Sequence, residues 1–545
     1  MAALSVSITF LGGLGEIGRN CAAIEVDGRI ALIDCGIMFP EEDMLGVDLV
    51  LPDFSSIVDR AGEVECVILT HGHEDHVGSL AYFLREVNVP VYGTALAVEL
   101  ARSRIEELGL TPDLRAIEPL EWVEAGPIRF TMVRVTHSVP HATGIVFDTP
   151  EGKIVHSGDF KLDPTPIDGV PTDLGTFAGF GRQGVRLLLS DSTNAEVPGF
   201  VPSEASVGGP LAEFVSHARG RVILACFASH IHRVQQAVDA VVGSGRKLAF
   251  LGRSMLRNTE LAVELGILQV PPESVVSMDE LLELPPHETA VICTGSQGEP
   301  FAALSLMASG SHRSLTLQKT DTVILSATPI PGNETAVSRV INNLARLGIE
   351  VHHGRNAHVH VSGHAAQDEI RTFMNVIKPQ AFVPVHGEFR HLLANAELAK
   401  QVGVPEIEVC QDGDVIVLDD GNLTVERGAV PAGYVYLDGY GIGDVDNVLR
   451  DRRHLADDGV LIITVGFDVS SGEIVFGPDV DSHGVSDDTA EIHEQVASSV
   501  ADALASLELP TDLDTVRRKV RSTAGRAVKR AVNRRPVVFP VLIEV

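Results

Sequence analysis

Three histidines and two carboxylates fall within six residues at His71-Gly72-His73-Glu74-Asp75-His76. His71 and His73 stand at alternate positions just past the apolar run Val64 to Thr70, which reads as a strand, so their rings can point the same way. Asp75 and His76 follow on the turn into the next helix and can face a second ion a few ångströms away. Imidazole with carboxylate suits zinc, or a harder divalent ion such as Mn2+ or Mg2+ where carboxylates share the site. A lone histidine calls for no functional reading; this density at a strand end does. Two ions need more donors, and three further strand ends supply them: His137 after Arg129 to Val135, Asp159 in His156-Ser157-Gly158-Asp159, and His386 in Pro384-Val385-His386-Gly387-Glu388. The arrangement this implies puts His71, His73 and His137 on one ion and Asp75, His76 and His386 on the other, with Asp159 bridging. Such a pair activates a bridging water and stabilises charge in an in-line displacement.

The elements that position these residues can be read from periodicity. Ser5 to Leu11 is a strand, and the following Gly13-Leu14-Gly15-Glu16-Ile17-Gly18 matches GxGxxG. A dinucleotide fingerprint must open a helix, whereas Cys21 to Val26, Asp27-Gly28 and Arg29 to Asp34 form a β-hairpin with a favoured Asp-Gly turn. The glycines are therefore expected to let backbone pass close to a site. Helices are expected at Ser79 to Arg85 and Ala95 to Glu107, an extended segment at Val89 to Tyr92, and strands at Arg129 to Val135, Gly144 to Phe147 and Lys153 to His156. From about residue 201 the pattern turns to βα units, with strands at Arg221 to Cys226, Lys247 to Leu251, Thr289 to Cys293 and Thr322 to Ser326, which implies a parallel sheet. The His358-to-His364 stretch and Ala381 to Val385 read as two more strand ends carrying histidines. After about residue 445 a small α+β unit is expected. In it Asp487 and Asp488 can cap a helix from Ala490 to Leu507, and Val537 to Val545 closes as a strand.

Composition narrows the class. At 545 residues there is room for about three domains. No apolar run is long enough to span a bilayer, and no basic region precedes an apolar stretch at the N-terminus, so a cytoplasmic protein with no membrane association is expected. The six cysteines show no CxxC pairing and read as buried small hydrophobes. A net charge of −32 argues against a globally electropositive nucleic-acid binder, but not against a local groove or metal ions. Arg517 to Arg535 departs from the average: it holds nine basic residues and no acidic one. A solvated helix face, a dimer contact and an RNA contact all remain open for it.

THGHEDHVG with the later HS, GDF and PVHGE motifs resembles the metallo-β-lactamase superfamily. The inserted βα domain, with Ser190-Asp191-Ser192-Thr193-Asn194 before it and Ser362-Gly363-His364-Ala365 after it, resembles the β-CASP branch. FASHIHRVQQ, FLGRSM, TGSQGEP, SATPIPGNE and SGHAAQDE, with an appended C-terminal domain, are similar to the bacterial ribonuclease J family over essentially the whole chain. That resemblance implies an α/β chain: a metallo-β-lactamase αββα sandwich with an inserted β-CASP parallel α/β domain and a small α+β C-terminal domain. The boundaries expected are 1–200 and 366–445 for the two parts of the sandwich, 201–365 for the β-CASP domain, 446–460 for a linker and 461–545 for the C-terminal domain. The implied activity is two-metal hydrolysis of RNA phosphodiesters in RNA decay and maturation, 5′-to-3′ exonucleolytic with a preference for 5′-monophosphate ends and some endonucleolytic activity. Partners implied are RNA, a second copy in a homodimer or a tetramer, and an RNA-degradation assembly.

Asp75, His364 and Asp191 are the candidate catalytic residues. His364 would contact the scissile phosphate or protonate the leaving oxygen. Asp191 and Asp34 would orient ligand histidines. Ser229, His232, Arg233, Arg253, Ser296 and Ser326 lie near ends of βα-domain strands and, with Ser362, Gly363 and His364, are candidates for substrate phosphate binding. His141 and His230 depart from the family pattern, where an acid and an asparagine are more usual; neither removes a ligand. Three rivals stand beside this reading. A lactonase or thioesterase on the same metal core would not need the long insert. A DNA-processing β-CASP nuclease differs only by local contacts to a 2′-OH. A non-catalytic RNA-binding subunit is hard to reconcile with an intact ligand set.

Overall fold

The computed structural model describes residues 6–544 except 42–43, 331, 440, 444–445, 487–488 and 509–510. The chain divides into two compact units, Met1–Phe39 with Leu49–Val435, and Pro40–Asp48 with Tyr436–Val545. Among the described residues no helix is long and apolar enough to cross a membrane.

Two sheets face one another in the larger unit. The first has eight strands, running from Asn422–Glu426 through Val415–Asp419, Val6–Gly12, Cys21–Val26, Arg29–Ile33, Val64–Ile68 and Val91–Gly93 to Leu114–Ala116. The second has seven, with Gly152–His156, Val185–Asp191 and Ala381–Val385 side by side and parallel. Alternate residues of each strand, Ile8, Phe10, Ile24 and Ile68 from one sheet and Phe130, Met132, Phe147 and Leu189 from the other, fill the space between them. The outer faces are covered by helices. Leu80–Glu86 and Ala95–Glu107 pack on the first sheet through Phe83, Leu84 and Ala101. Phe177 and Phe373, from Leu174–Gln183 and Gln367–Ile377, meet Val155, Leu188 and Phe382 on the second. This is the αββα sandwich, and strands on both sides of the insert build both of its sheets.

The hairpin expected from Asp27-Gly28 is present, with both turn residues at positive φ (51° and 74°), the geometry that a two-residue turn between right-twisted strands requires. The insert is a five-stranded, all-parallel sheet in the order Lys247–Leu251, Thr289–Cys293, Val222–Ala225, Thr322–Leu325, Glu350–His353. Helices cover both of its faces. Its strand order reverses beside the first strand, Val222–Ala225, so the carboxyl ends there open a crevice in which α/β sheets bind ligands.

Three expectations change. His358 to His364 is an irregular segment, because the last strand of the insert stops at His353 and Val359 packs beneath the chain as a loop residue. The stretch expected as a linker at 446–460 is mostly the helix Asp446–Asp458. The Asp487–Asp488 cap lies outside the described residues, and its helix runs Ala490–Ala505. In the smaller unit the strand Val460–Phe467 lies between Ile474–His483, antiparallel, and Val537–Glu544, parallel. The helices Ala490–Ala505 and Leu513–Val532 pack on this sheet through Val496, Val500, Val516, Val520 and Val528.

Candidate metal centre

The first-sheet strand Val64–Ile68 ends in the buried residues Leu69 and Thr70, and the histidine cluster follows directly. Second-sheet strands bring Asp159 and His386 to the same point. His71, His73, His137 and Asp159 form one group of four converging donors, and Asp75, His76, His386 and Asp159 another. Asp159 belongs to both, and to a third, overlapping group with Asp191, His364 and His386. In the first group His73 Nδ1 lies 3.1 Å from His71 Nε2 and 3.2 Å from His137 Nε2. Donors about 2.05 Å from a tetrahedral ion stand roughly 3.3 Å apart, so the spacing suits a cation.

Four of the five rings have hydrogen-bond partners at their outward nitrogens, which turns the inner nitrogens toward the ion positions. His137 Nδ1 donates to the Gly363 carbonyl (2.9 Å), and His71 Nδ1 to Thr70 Oγ1 (3.0 Å), whose hydroxyl donates in turn to Asp34 (2.8 Å). His76 Nδ1 donates to Asp34 Oδ2 (2.7 Å), leaving Nε2 facing Asp159 Oδ2 at 3.2 Å. His386 Nδ1 donates to Thr193 Oγ1 (2.6 Å), which donates to Asp191 Oδ1 (2.8 Å). Four of the five ligand rings are thus oriented by a close hydrogen-bond partner behind them, while His73 Nε2 has only Ser138 Oγ at 3.4 Å.

Burial lowers His71 and His137 well below the ordinary imidazole value, and His73 to about 4, so these three rings are neutral at pH 7. Burial acts the same way on His76 and His386, but carboxylates outweigh it. Asp159, Asp75 and Asp34 raise His76 well above its usual value, and Asp159 with the bond to Asp75 raises His386 to about 9. Asp159 resists the upward push of burial because His386 and His76 hold it well below the carboxylate range. Metal binding at this second group would therefore displace protons. The donor chemistry fits divalent cations, and the cluster is a divalent-metal site.

His364 stands beside it. Its Nδ1 donates to Asp191 Oδ2 (2.8 Å), and Asp191 raises the imidazole against the lowering effect of burial. The ring lines a cleft of about 1160 Å³ that is also lined by His73, Asp75, His137 and His386. Across the cleft lie the loops after the insert's strands, contributing Ser229, Arg253 and Ser296, and Ser362 and Gly363 complete the wall. His232, Arg233 and Ser326 do not reach it. Arg233 is fully buried against Glu204 (2.7 Å), the Ser326 hydroxyl (2.6 Å) and the Val359 carbonyl (2.6 Å), an ion pair that knits the insert together. His232 is buried on the same helix, its nearest charged neighbour Asp168 at 3.8 Å. His230 lines the cleft with its Nε2 3.3 Å from Glu204. His141 takes a left-handed backbone conformation, its carbonyl accepting from Thr94.

Four other residues at the site were not singled out in the sequence, although Thr70 and Thr193 stand inside the motifs given above. Asn20 donates from Nδ2 to the Asp75 carbonyl (3.1 Å) and stands 3.2 Å from His76 Nε2. Arg19 beside it is buried among Glu16, Asp412 and the Gly433 carbonyl. Thr70 and Thr193 relay ligand histidines to carboxylates. All four are single polar residues in loops, and only their long-range partners distinguish them.

Four family models match. Residues 14–195 match the metallo-beta-lactamase superfamily, and 219–344 the beta-CASP domain of ribonuclease J. Residues 348–409 match the Zn-dependent metallo-hydrolase RNA specificity domain, and 447–545 the ribonuclease J C-terminal domain. The chain is 44% identical to ribonuclease J 1 of Streptococcus pyogenes over 484 residues, 88% of this chain and 86% of that one. It is 38% identical to ribonuclease J2 of Bacillus subtilis, covering 99% of both, and 40% identical to ribonuclease J of Mycobacterium tuberculosis, covering 99% and 97%. A solved structure of a protein of unknown function from Enterococcus faecalis matches with a TM-score of 0.54 at 17% identity, covering 76% of this chain and all of that one, a likeness of fold alone.

Proposed function

This chain belongs to the ribonuclease J family and is a metal-dependent ribonuclease, and from that premise we propose that it degrades RNA 5′ to 3′ from monophosphorylated ends, with endonucleolytic cleavage as a second activity. The observation that carries the reading is the pair of four-donor groups sharing Asp159 at the floor of a cleft that His364 also lines. We assign His71, His73 and His137 to one zinc ion and Asp75, His76 and His386 to a second, with Asp159 common to both. Bound divalent ions would supply Lewis acidity and a water deprotonated at neutral pH. Thr70, Thr193 and Asp34 keep the ligand rings in the tautomers that turn lone pairs inward. Asp75, steadied by Asn20, serves as ligand and as proton acceptor.

His364, its Nδ1 held by Asp191, is left with Nε2 free to donate to the scissile phosphate or to the departing 3′ oxygen. Ser229, Arg253, Ser296, Ser362 and the Gly363 backbone are assigned to phosphates of the incoming strand, Arg253 by paired donors. The sandwich, insert and C-terminal boundaries follow the domain scheme set out above, with 446–458 as a helical connection. The C-terminal unit is assigned to homodimer formation, which truncation near residue 455 without change in oligomeric state would refute.

The deciding experiment compares 5′-monophosphate RNA, 5′-triphosphate RNA and DNA of one sequence, with a chelated control. Mononucleotide release confined to monophosphorylated RNA and abolished by chelation is expected. Equal cleavage of DNA would favour the DNA-processing alternative, and internal fragments alone would remove the exonuclease assignment.

A further inference from the structure

The helix Leu513–Val532 buries one stripe, Val516, Val520, Ala524 and Val528, at four-residue spacing against Val496, Val500 and the sheet. That stripe fixes what the rest of the helix presents to solvent. Arg517, Arg518, Arg521, Arg526, Lys529 and Arg530 are all exposed, and Arg534 and Arg535 continue the run past its end. The helix dipole accounts for Lys529 and Arg530 in the last turn. It does not account for Arg518, Arg521 and Arg526 in the middle. Nor do close ion pairs: Arg517 has Asp514 at 3.0 Å, whereas Arg518 bonds the Thr515 hydroxyl with Asp512 as a weaker electrostatic neighbour, and Arg526 bonds only the Thr523 hydroxyl. Among the described residues Arg521, Lys529, Arg530 and Arg535 have no partner. In a chain of net charge −32, these unpaired cations on one face make a local positive patch to which an anion would be drawn.

We propose that this face of the smaller unit is a second, metal-independent docking surface for the backbone of long RNA. The inference rests on the ribonuclease reading. The surface chemistry distinguishes RNA from the other polyanions. Between the arginines the helix exposes only small residues, Ser522 and Ala531, with Gly525 half-buried, and among its described residues no large hydrophobic side chain is exposed. Protein interfaces are anchored by buried aromatic or aliphatic residues, and interfacial membrane helices need an apolar face. A bare guanidinium row suits phosphates, which it can grip in pairs and independently of sequence.

The test uses the full chain with Arg518→Glu, Arg521→Glu and Arg526→Glu combined, beside the same three positions changed to Lys. Binding of a 40-nucleotide RNA is followed by anisotropy with metal chelated, over a range of salt, and turnover is measured on a 5-nucleotide RNA, which offers few phosphates to a second surface. The Glu variant is expected to bind the long RNA at least tenfold more weakly and to lose about 2 from its salt slope. It should cleave the short RNA within about twofold of the parent, and the Lys variant should stay near the parent throughout. Unchanged long-RNA affinity and salt slope would overturn the proposal. So would a change in sedimentation with RNA affinity intact, which would make the face a contact between protein copies. Absence of short-RNA cleavage in the parent would instead count against the ribonuclease reading, while the binding series still decides this one.

Discussion

Asp191 uses its two oxygens for different residues. Oδ1 accepts from Thr193, whose hydroxyl fixes the His386 tautomer, and Oδ2 takes the proton-bearing nitrogen of His364. One carboxylate therefore orients a metal ligand and the proposed proton donor together, and substitutions can separate the two. Thr193→Val cuts only the first branch. Its metal affinity is expected to fall about 10- to 100-fold, with cleavage recovered in excess metal. His364→Ala cuts only the second. Metal content should hold at the parent's value while single-turnover cleavage drops about 10²- to 10⁴-fold. Metal titration with rapid-quench assays on both variants checks the division. A Thr193→Val defect that excess metal fails to rescue would show that the threonine acts on chemistry instead. The sequence pointed to Asp191 as a residue that orients a ligand histidine, but not to Thr193 as the go-between or to which histidine, since Thr193 was visible only as part of a motif and its partner stands 193 residues away.

At the scale of elements, the site depends on loops held by close backbone contact. Gly36, just past the Arg29–Ile33 strand, lies so near the metal loop that a Cβ there would fall 1.6 Å from the Asp75 carbonyl. A Cβ on Gly363 would lie 2.9 Å from the His137 ring, on the turn whose carbonyl holds that ring. Gly36→Ala must shift backbone, and urea unfolding should show a loss of about 1–3 kcal/mol or more together with lost activity. Gly363→Ala needs only a ring to tilt. It is expected to lose activity and metal while the urea midpoint stays near the parent's, and a matching stability loss would refute that distinction. The strands feeding these loops were readable because apolar runs alternate or fill both faces, and the βα rhythm identified the parallel insert. The failures share one cause. Ser326 and Arg233 looked like phosphate ligands because of where they fall along the insert, but Glu204, from a segment before its first strand, claims the arginine. His358 to His364 looked extended because Val359 and Val361 alternate with histidines, yet both valines pack into the insert's core from an irregular chain. Local pattern predicts elements well and says little about which distant residue will meet a charge.

For the whole molecule, the consequential fact is that the metal donors and the basic helix belong to different compact units. Each unit closes its own core. In the smaller, Leu461, Ile463, Val500 and Val520 share a core that, among the described residues, is built from that unit alone. Cores closed separately can melt separately, and a ligand stabilises only the unit whose folded state binds it. Calorimetry on the intact chain should therefore resolve two transitions, the larger from the unit carrying the sandwich and insert. Chelation should lower that transition and leave the smaller one in place, since all seven proposed ligands and the histidine-lined cleft lie in the larger unit. Restoring metal at about a thousand times its Kd would contribute roughly 4 kcal/mol per site to the larger unit alone. The protons that His76 and His386 hold without metal sharpen the expectation, because the gain should grow as pH rises and those protons become easier to displace. If both transitions moved with chelation, or only one transition appeared, folding of the smaller unit would depend on the metal centre. The basic helix could not then be an independent tether.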